Sequence, residues 1–233
     1  MILQAEFSHT GGQLLADLGS FQNISDGGYE RGRQEEYDAF WDAFQQKGSR
    51  TDYSHAFRGA GWTDESFKPK HPLLLAGSAE SMCAGAAFTE IPVAVDFSRC
   101  NNIYYCFDHC SNLVRLPRLD LSEVRTANFG FGYCLRLEEI QCLVFSENTV
   151  LTANTFQGIA NLKHLTVEGT VNTMIVLQYA SGLTNESVQS IIEHLKDLTG
   201  GETKTLRFHA NVGAALTDAQ KACVTAKNWT LVY

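Results

Sequence analysis

The chain lacks a cluster of basic residues, a long apolar run and more than a few prolines. Its 18 Lys and Arg are outnumbered by 26 Asp and Glu, which gives a formal net charge of −8. Nucleic acids and anionic membranes bind clustered basic surfaces that displace counterions, so we expect neither as a partner. No window approaches the roughly 20 apolar residues of a membrane-spanning helix, and we expect no membrane insertion. With four prolines and 44% hydrophobic residues among 233, the composition is that of an ordered globular protein.

The N-terminus lacks the features of a signal peptide. The opening residues are MILQAEFSHTGGQLL, which contain neither a basic segment nor a sufficiently long apolar core. If Met1 is the native start, we expect no signal-dependent secretion. Seven cysteines cannot all pair within one chain, and without an export signal we expect reduced thiols.

Recognisable catalytic motifs are also missing. The sequence contains no nucleophile elbow, no phosphate-binding glycine loop and no H-E-x-x-H motif. We therefore expect neither an enzyme nor a bound cofactor. The stretch YYCFDHCSNL brings together Cys106, His109 and Cys110, which is suggestive of zinc, but no second, similarly spaced pair accompanies them.

What the chain does contain is an internal repeat. Four ten-residue segments align at a spacing of 24 or 25 residues: MCAGAAFTEI from Met82, FDHCSNLVRL from Phe107, FGYCLRLEEI from Phe131 and FQGIANLKHL from Phe156. Large apolar residues stand at offsets zero, six and nine of every segment. A unit of this length cannot bury its apolar side alone, but stacked units share a continuous core. The alternative is an ordinary mixed domain with accidental spacing.

Offset three of the repeat bears on the cysteines. It is occupied by Gly85, Cys110, Cys134 and Ile159. Cysteine is often buried and behaves there as a small apolar residue. We therefore expect both thiols to face one interior column and expect no metal; the zinc site is the alternative.

Each segment runs into a stretch with the period-two pattern of a half-buried strand. The pattern is carried in the outer units by Ile91, Val93, Val95 and Phe97, and by Leu165 and Val167. The middle units show a one-residue slip, through Leu116, Leu119 and Leu121, and through Ile140, Leu143 and Phe145. Because such a slip reverses the faces of a strand, it predicts a turn or a β-bulge.

The pattern F-x-x-C-x-x-L-x-x-I/L, seen in FDHCSNLVRL and FGYCLRLEEI, resembles the BspA-like class of leucine-rich repeat, found in bacterial surface proteins and in phage-encoded proteins. The first unit departs from this pattern, with Met82 for Phe and Gly85 for Cys. The resemblance implies an α/β repeat solenoid, a leucine-rich-repeat-like stack of about 24–25-residue units, which we assign to residues 78–178. It implies a ligand-binding or structural role and carries no catalytic residues with it.

Residues 179–233 are predicted to form helix–strand capping repeats. Val188, Ile191, Ile192 and Leu195 have the spacing of an amphipathic helix, with Thr184 as the N-cap and Gly200–Gly201 as a stop. A strand is expected at KTLRF, and Thr217 with Gln220 forms a capping box for a second helix ending near Asn228. WTLVY is expected as the last strand.

Upstream, residues 29–77 are predicted to form a helical and irregular N-terminal cap. An aromatic stripe at helical spacing is formed by Tyr37, Phe40, Trp41 and Phe44. We expect it to pack on the first repeat, with a partner interface as the alternative. The aromatic-rich stretch from residue 50 to 73 is predicted to be irregular. Residues 1–28 are interpreted as an arm or linker.

The repeat singles out two sets of surface residues. Offset eight is occupied by Glu90, Arg115, Glu139 and His164. These should point outward from neighbouring strands, either as a solvated ladder of weak ion pairs or as a recognition face. Tyr105 and Phe129 share the position two residues before their units start, and an aligned aromatic pair is a candidate anchor for a partner.

Together, these features predict a non-enzymatic repeat protein that binds a protein or a glycan. It would act as a component of a virion or phage tail, or as a cell-surface module in recognition or adhesion. The alternative is a structural subunit with assembly contacts through residues 1–48. A virion-associated or cytoplasmic location is favoured over signal-dependent secretion.

Overall fold

The computed structural model describes residues 52–59, 62–64, 69 and 72–233. The predicted arm of residues 1–28 and the aromatic helix around residues 37–44 lie outside the described residues. In the described part of the chain, no helix is both long enough and apolar enough to cross a membrane.

Five parallel strands form the first sheet. They are β1 (Leu73–Ser78), β2 (Val95–Asn102), β3 (Arg115–Asp120), β4 (Glu139–Phe145) and β5 (His164–Gly169). They lie side by side in chain order, and successive strands begin 20 to 25 residues apart. A parallel pair needs a crossover between its strands, and here each crossover is the rest of one repeat unit. The sheet is therefore a repeat-like stack, as the spacing predicted.

The strand register follows the repeat. Leu116 of β3 pairs with Ile140 of β4, which pairs with Leu165 of β5. These offset-nine residues are all buried, so one column of the core runs along the stack. The predicted irregularity is present between Ile140 and Leu143, where the pairing of β4 with β5 shifts register.

The first unit differs from the predicted alignment by one residue. The backbone N–H of Phe107 donates to Gly130, and the N–H of Cys83 donates to Cys106 in the same way. Cys83, not Met82, is thus in register with Phe107. As a consequence, Ala86 rather than Gly85 faces the interior column at offset three. The chain between Cys83 and Phe88 is one residue shorter than in the next unit, and this restores the register of the strand that follows.

One further turn precedes the predicted repeats. The N–H groups of His55, Phe57 and Gly59 donate to the carbonyls of residues 80, 82 and 84, with N···O distances of 2.8, 2.7 and 2.9 Å. Phe57 is fully buried and lies in register with Cys83. Residues 53–59 therefore continue the ladder of the stack, in place of the irregular structure expected there.

The C-terminal part alternates strands and helices. The second sheet is parallel, in the order β6 (Ile175–Leu177), β7 (Lys204–Phe208) and β8 (Trp229–Val232). The helices are α1 (Asn185–His194), α2 (Ala210–Ala215) and α3 (Asp218–Ala226). The Thr184 side chain caps α1, and Thr217 and Gln220 form the predicted capping box of α3. Helix α1 ends at His194, before Gly200–Gly201, and the short α2 was not predicted.

Helix α1 lies where a sixth strand of the first sheet would otherwise pair. The hydroxyl oxygens of Ser187 and Ser190 accept hydrogen bonds from the backbone N–H groups of Leu165 and Val167 of β5, both at 2.9 Å. The apolar face of α1 buries Val188, Ile191 and Ile192, the residues that the periodicity selected. The edge of β5 is therefore covered by side chains rather than by another strand.

Candidate functional site

The turns of successive units form one face of the stack, which we call the turn face. The turns around Phe57, Cys83, Phe107 and Phe131 have two backbone positions with positive φ, two residues before and two residues after that buried residue, and the turn around Phe156 has only the later one. Consecutive tight turns produce them, since the N–H groups of Cys106, Asp108 and Cys110 each donate to the carbonyl three residues earlier. Positive φ is rare for residues other than glycine, and rarer still for bulky ones.

Bulky residues nevertheless occupy many of these positions. The earlier position is occupied in four turns by His55, Ser81, Tyr105 and Phe129, with φ between 52° and 61°. The later position is occupied by Gly59, Gly85, His109, Tyr133 and Gly158. Because the peptide backbone repeats its conformation, side chains at one position project in the same direction from successive units.

Aromatic side chains on the turn face stack on one another. The rings of Tyr105 and Phe129 are parallel to within 9°, with centroids 5.2 Å apart, and those of Phe129 and Tyr133 are parallel to within 12° at 6.1 Å. Tyr104 lies edge-on to Tyr105 at 4.2 Å, and His109 lies 4.8 Å from Tyr133. We call these five residues the aromatic ladder. The sequence pointed to Tyr105 and Phe129, which the structure places side by side.

The other three members of the aromatic ladder were not predicted as site residues. In the repeat alignment Gly158 stands at the position of His109 and Tyr133, and this exchange is typical of a turn residue that tolerates substitution. Tyr104 has no aromatic equivalent in the next unit, where Asn128 stands. The available signal was the coincidence of aromatic residues with glycine at one offset, which marks a position of positive φ.

A second aromatic stack lies directly beneath the turn face. The buried rings of Phe107 and Phe131 have centroids 5.8 Å apart, and those of Phe131 and Phe156 are 5.3 Å apart. All three side chains are almost completely buried. The aromatic ladder, of which Tyr104, Tyr105 and Phe129 are half-buried and His109 and Tyr133 exposed, therefore stands on a close-packed interior that holds its backbone in place.

The aromatic ladder ends at a recess in the turn face. The unit that contains Cys83 has small residues in its turn, namely the buried Ser81, the half-buried Ala84 and the exposed Gly85. The resulting cavity, which we call the notch, has a volume of about 520 Å³. It is lined by His55, Arg58, Glu80, Ser81, Ala84, Tyr104, Tyr105, Asp108, His109, Phe129 and Tyr133.

Polar side chains surround the notch, and both carboxylates accept hydrogen bonds. Asp108 accepts a hydrogen bond at Oδ2 from His109 Nδ1 at 2.7 Å, and Glu80 Oε2 accepts one from Asn102 at 3.2 Å. Arg58 supplies a cationic guanidinium on the N-terminal wall. A side-chain hydrogen bond with Tyr104 raises the pKa of the Tyr105 hydroxyl, so this group is uncharged at neutral pH.

The charge ladder predicted at offset eight is present on the strand side of the stack. The backbone register places Glu90 beside Arg115, Arg115 beside Glu139, and Glu139 beside His164 on neighbouring strands. Arg115 Nε lies 3.5 Å from Glu139 Oε2, with side-chain exposures of 65% and 42%. An exposed pair of this kind contributes at most about 1 kcal/mol. The register prediction is confirmed, and the pairing is that of a solvated surface.

The cysteines lie in the interior and bond to the backbone. The thiols of Cys110 and Cys134 donate to the carbonyls of Cys83 and Phe107, both at 3.0 Å. His109 points away from them, towards Asp108, and its side chain is 66% exposed. Among the described residues, no three His, Cys, Asp or Glu side chains are grouped to hold a metal ion.

The comparisons with known proteins add no relative to these observations. No family model, no curated protein and no solved structure matches this chain. The likeness to leucine-rich repeats is supported by the parallel, repeat-like sheet alone.

Proposed function

We propose that this chain is a non-enzymatic repeat module of the BspA-like leucine-rich type, which recognises a macromolecular partner, a protein or a glycan, with its turn face. The observation that carries the proposal is the aromatic ladder, four of whose five residues, Tyr105, His109, Phe129 and Tyr133, have positive φ. In this proposal the C-terminal helices and strands cap the stack, and the module belongs to a virion, a phage tail or a cell-surface adhesin.

The energetics of the turn face support a role beyond stability. A left-handed conformation costs an L residue about 1–2 kcal/mol relative to the right-handed one. A stacked aromatic pair returns about 0.5–1.5 kcal/mol, so stacking does little more than offset the strain. Glycine removes the strain altogether, and Gly59, Gly85 and Gly158 stand at the position that His109 and Tyr133 occupy in their turns. Aromatic residues held at strained backbone positions are candidates for the anchors of a recognition surface.

The arrangement is also pre-organised for binding. Backbone hydrogen bonds join each turn to the next, for example from Tyr105 to Asn128 and from Tyr133 to Gln157. The rings of the aromatic ladder are further fixed by their mutual stacking. A partner that binds them therefore has little side-chain entropy to remove, which increases affinity.

The charge ladder is the weaker candidate surface. Arg115 and Glu139 already neutralise each other, and a partner would have to break that pair before using either charge. Its contribution to binding is expected to be small.

The test uses asparagine substitutions on the turn face. Asparagine tolerates positive φ, so a Tyr105→Asn, Phe129→Asn double variant should fold while losing both rings. The matched control exchanges the charges of the other surface, as Arg115→Glu with Glu139→Arg. Wild type and both variants are applied to an array of defined oligosaccharides and to an array of synthetic peptides.

We expect wild type to bind members of one array saturably, the double variant to bind at least tenfold more weakly, and the charge-exchanged control to bind like wild type. Binding to neither array would overturn the proposal, and so would equal binding by wild type and the double variant. If wild type bound neither array but sedimented as a defined oligomer, the structural subunit with contacts through residues 1–48 would replace it.

A further inference from the structure

We propose that the turn face binds a segment of a partner protein in which an acidic side chain stands beside an apolar one, and that Tyr133, Leu135 and Arg136 are its main contacts. We call these three residues the anchor patch. The inference rests on the proposed function and names the class of partner that the turn face recognises.

The anchor patch lies in one turn of the stack. Cys134 and Leu137 of this turn are completely buried, and they hold the turn against the core. Tyr133 and Leu135 are 36% and 51% exposed, and Arg136 is exposed as well. Tyrosine and arginine are enriched at the centres of protein–protein interfaces, which are more apolar than the rest of the surface. Three exposed residues within four positions of the chain thus have the composition of such a centre.

The leucine is a departure from the repeat. Ser111 and Ala160 stand at the position of Leu135 in the units on either side, and both are exposed. A single exposed leucine needs no explanation in itself. Here the very next residue, Arg136, also departs from the repeat, so the two exchanges form one local feature of this turn.

The arginine replaces a residue that joins neighbouring turns. Asn112 and Asn161 stand at the position of Arg136 in the adjacent units. Each donates its side-chain amide to a carbonyl of the turn before, Asn112 to Ala87 at 3.3 Å and Asn161 to Leu135 at 2.6 Å. Among the described residues, none bonds to or pairs with the Arg136 side chain. This turn therefore has an unpaired surface cation in place of a hydrogen bond that contributes about 0.5–1.5 kcal/mol.

The charge of the anchor patch selects an acidic partner. The nearest acids along the chain are already paired, Glu138 with Lys163 at 3.0 Å and Glu139 with Arg115 at 3.5 Å. A partner that covered Arg136 without supplying an anion would bury an uncompensated charge, which is costly. A guanidinium binds a carboxylate through two parallel hydrogen bonds, so an Asp or Glu side chain is the matching group. The net charge of −8 acts at longer range and is screened within about 8 Å at physiological ionic strength.

The packing of the aromatic ladder favours a protein over a glycan. A sugar binds an aromatic residue by laying a patch of C–H groups on the ring face. The rings of Tyr105, Phe129 and Tyr133 follow one another at 5.2 and 6.1 Å, whereas a further ring between two of them needs about 7 Å, twice the contact distance of about 3.5 Å. Both ends of the row have close neighbours, since Tyr104 lies 4.2 Å from Tyr105 and a Cβ atom at Gly158 would lie 3.0 Å from Tyr133. The row therefore presents mainly ring edges, which pack against the apolar side chains of a protein.

The test replaces the anchor patch by the residues of the neighbouring unit. Leu135→Ser and Arg136→Asn introduce the residue types of Ser111 and Asn112, so this double variant, the repeat-restored variant, should fold. Its new asparagine can also make the hydrogen bond between turns that the arginine lacks. A purely structural role of the anchor patch would make the variant less stable, which urea unfolding measures.

The matched control removes the same two residue types elsewhere. Leu74 of β1 is 68% exposed, and Arg99 of β2 is exposed too. The control variant is therefore Leu74→Ser with Arg99→Asn, on the strand side of the stack. The strongest peptide of the array is titrated calorimetrically with wild type and both variants. The titration is repeated with a neutralised peptide, in which Asn and Gln replace each Asp and Glu.

We expect the strongest peptide to contain an acidic residue next to an apolar one. The repeat-restored variant should bind it more weakly by about tenfold or more, while its urea midpoint is no lower than that of wild type. The control variant should bind like wild type. Wild type should bind the neutralised peptide more weakly, again by about tenfold or more, and the repeat-restored variant should distinguish the two peptides much less.

Three outcomes would overturn the anchor patch while sparing the proposed function. The first is binding to oligosaccharides in place of peptides. The second is peptide binding that survives in the repeat-restored variant but is lost in the asparagine double variant at Tyr105 and Phe129. The third is equal affinity of wild type for the acidic and the neutralised peptide. Binding to neither array would remove the proposed function itself, and this inference with it.

Discussion

Buried thiols should make the folded protein sensitive to alkaline pH. Burial raises the pKa of Cys83 and Cys106 well above the ordinary value of 9.0, and raises the pKa of Cys100 to about 11. For Cys134, a hydrogen bond with the Cys110 thiol and then burial raise the pKa in the same way. In the unfolded chain these four thiols are solvated and ionise near pH 9.

The sign of the effect follows from the protons bound in each state. Between pH 9 and the raised folded values, the unfolded chain loses thiol protons that the folded chain keeps, so unfolding becomes more favourable as pH rises. At pH 10 an unfolded thiol with a pKa of 9 is about nine-tenths ionised, which lowers the free energy of unfolding by about 1.4 kcal/mol relative to pH 7. Four such thiols lower it by about 5–6 kcal/mol. The whole free energy of unfolding of many domains is only about 5–15 kcal/mol.

The assay is urea unfolding, followed by circular dichroism at pH 7, 9 and 10 in the presence of a reducing phosphine. Cys106→Ala removes one of the four thiols, and Cys223→Ala is the control because Cys223 is only partly buried. We expect the Cys106→Ala variant to be less stable than wild type at pH 7. Its further loss between pH 7 and pH 10 should be smaller than that of wild type by about 1.4 kcal/mol.

The comparison between variants makes the reasoning refutable, since other groups that titrate near pH 10 cancel in it. Equal losses of stability in wild type and Cys106→Ala would mean that this thiol is not kept neutral by burial. The interior position of Cys106 would then have to be abandoned.

Two further predictions concern packing, and both are measured by urea unfolding at pH 7. Phe131→Ala removes the middle ring of the buried stack and should lower the free energy of unfolding by about 3–5 kcal/mol. Phe131→Leu should lower it clearly less. Similar small losses in both variants would contradict the stack. Gly169→Ala should cost about 1–3 kcal/mol more than Gly200→Ala. Both glycines have φ near +80°, but only the Cβ at Gly169 would strike the carbonyl of Phe145. Equal costs would refute that contact.

The register of the strands could be predicted from sequence because it depends on large apolar residues. Leu116, Ile140 and Leu165 repeat at one offset, and that offset became a paired, buried column. The first turn could not be aligned in the same way. Met82 and Cys83 are both apolar and both fully buried, so periodicity alone does not choose between them. The hydrogen bond from the Cys83 N–H to the Cys106 carbonyl shows that Cys83 is the residue in register with Phe107.

The candidate site was predictable only in part, for a related reason. Tyr105 and Phe129 are aromatic and aligned, so the repeat revealed them. The notch is made by Ser81, Ala84 and Gly85, and a search for large apolar residues passes over small ones. A recess is defined by the side chains around it, and these come from units on either side. To find this recess, one must know how three successive turns lie relative to one another, and the residue spacing within one unit does not contain that information.

The serine hydroxyls that cover β5 close one edge of the first sheet to further strands. A repeat that buries its apolar side against a neighbour could in principle add further copies without limit, from its own chain or from another molecule. At β5, the N–H groups that would receive the next strand are already bonded to Ser187 and Ser190. In the described part of the chain a second sheet follows this edge, so two hydroxyl groups occupy the place where a sixth strand of the first sheet would pair.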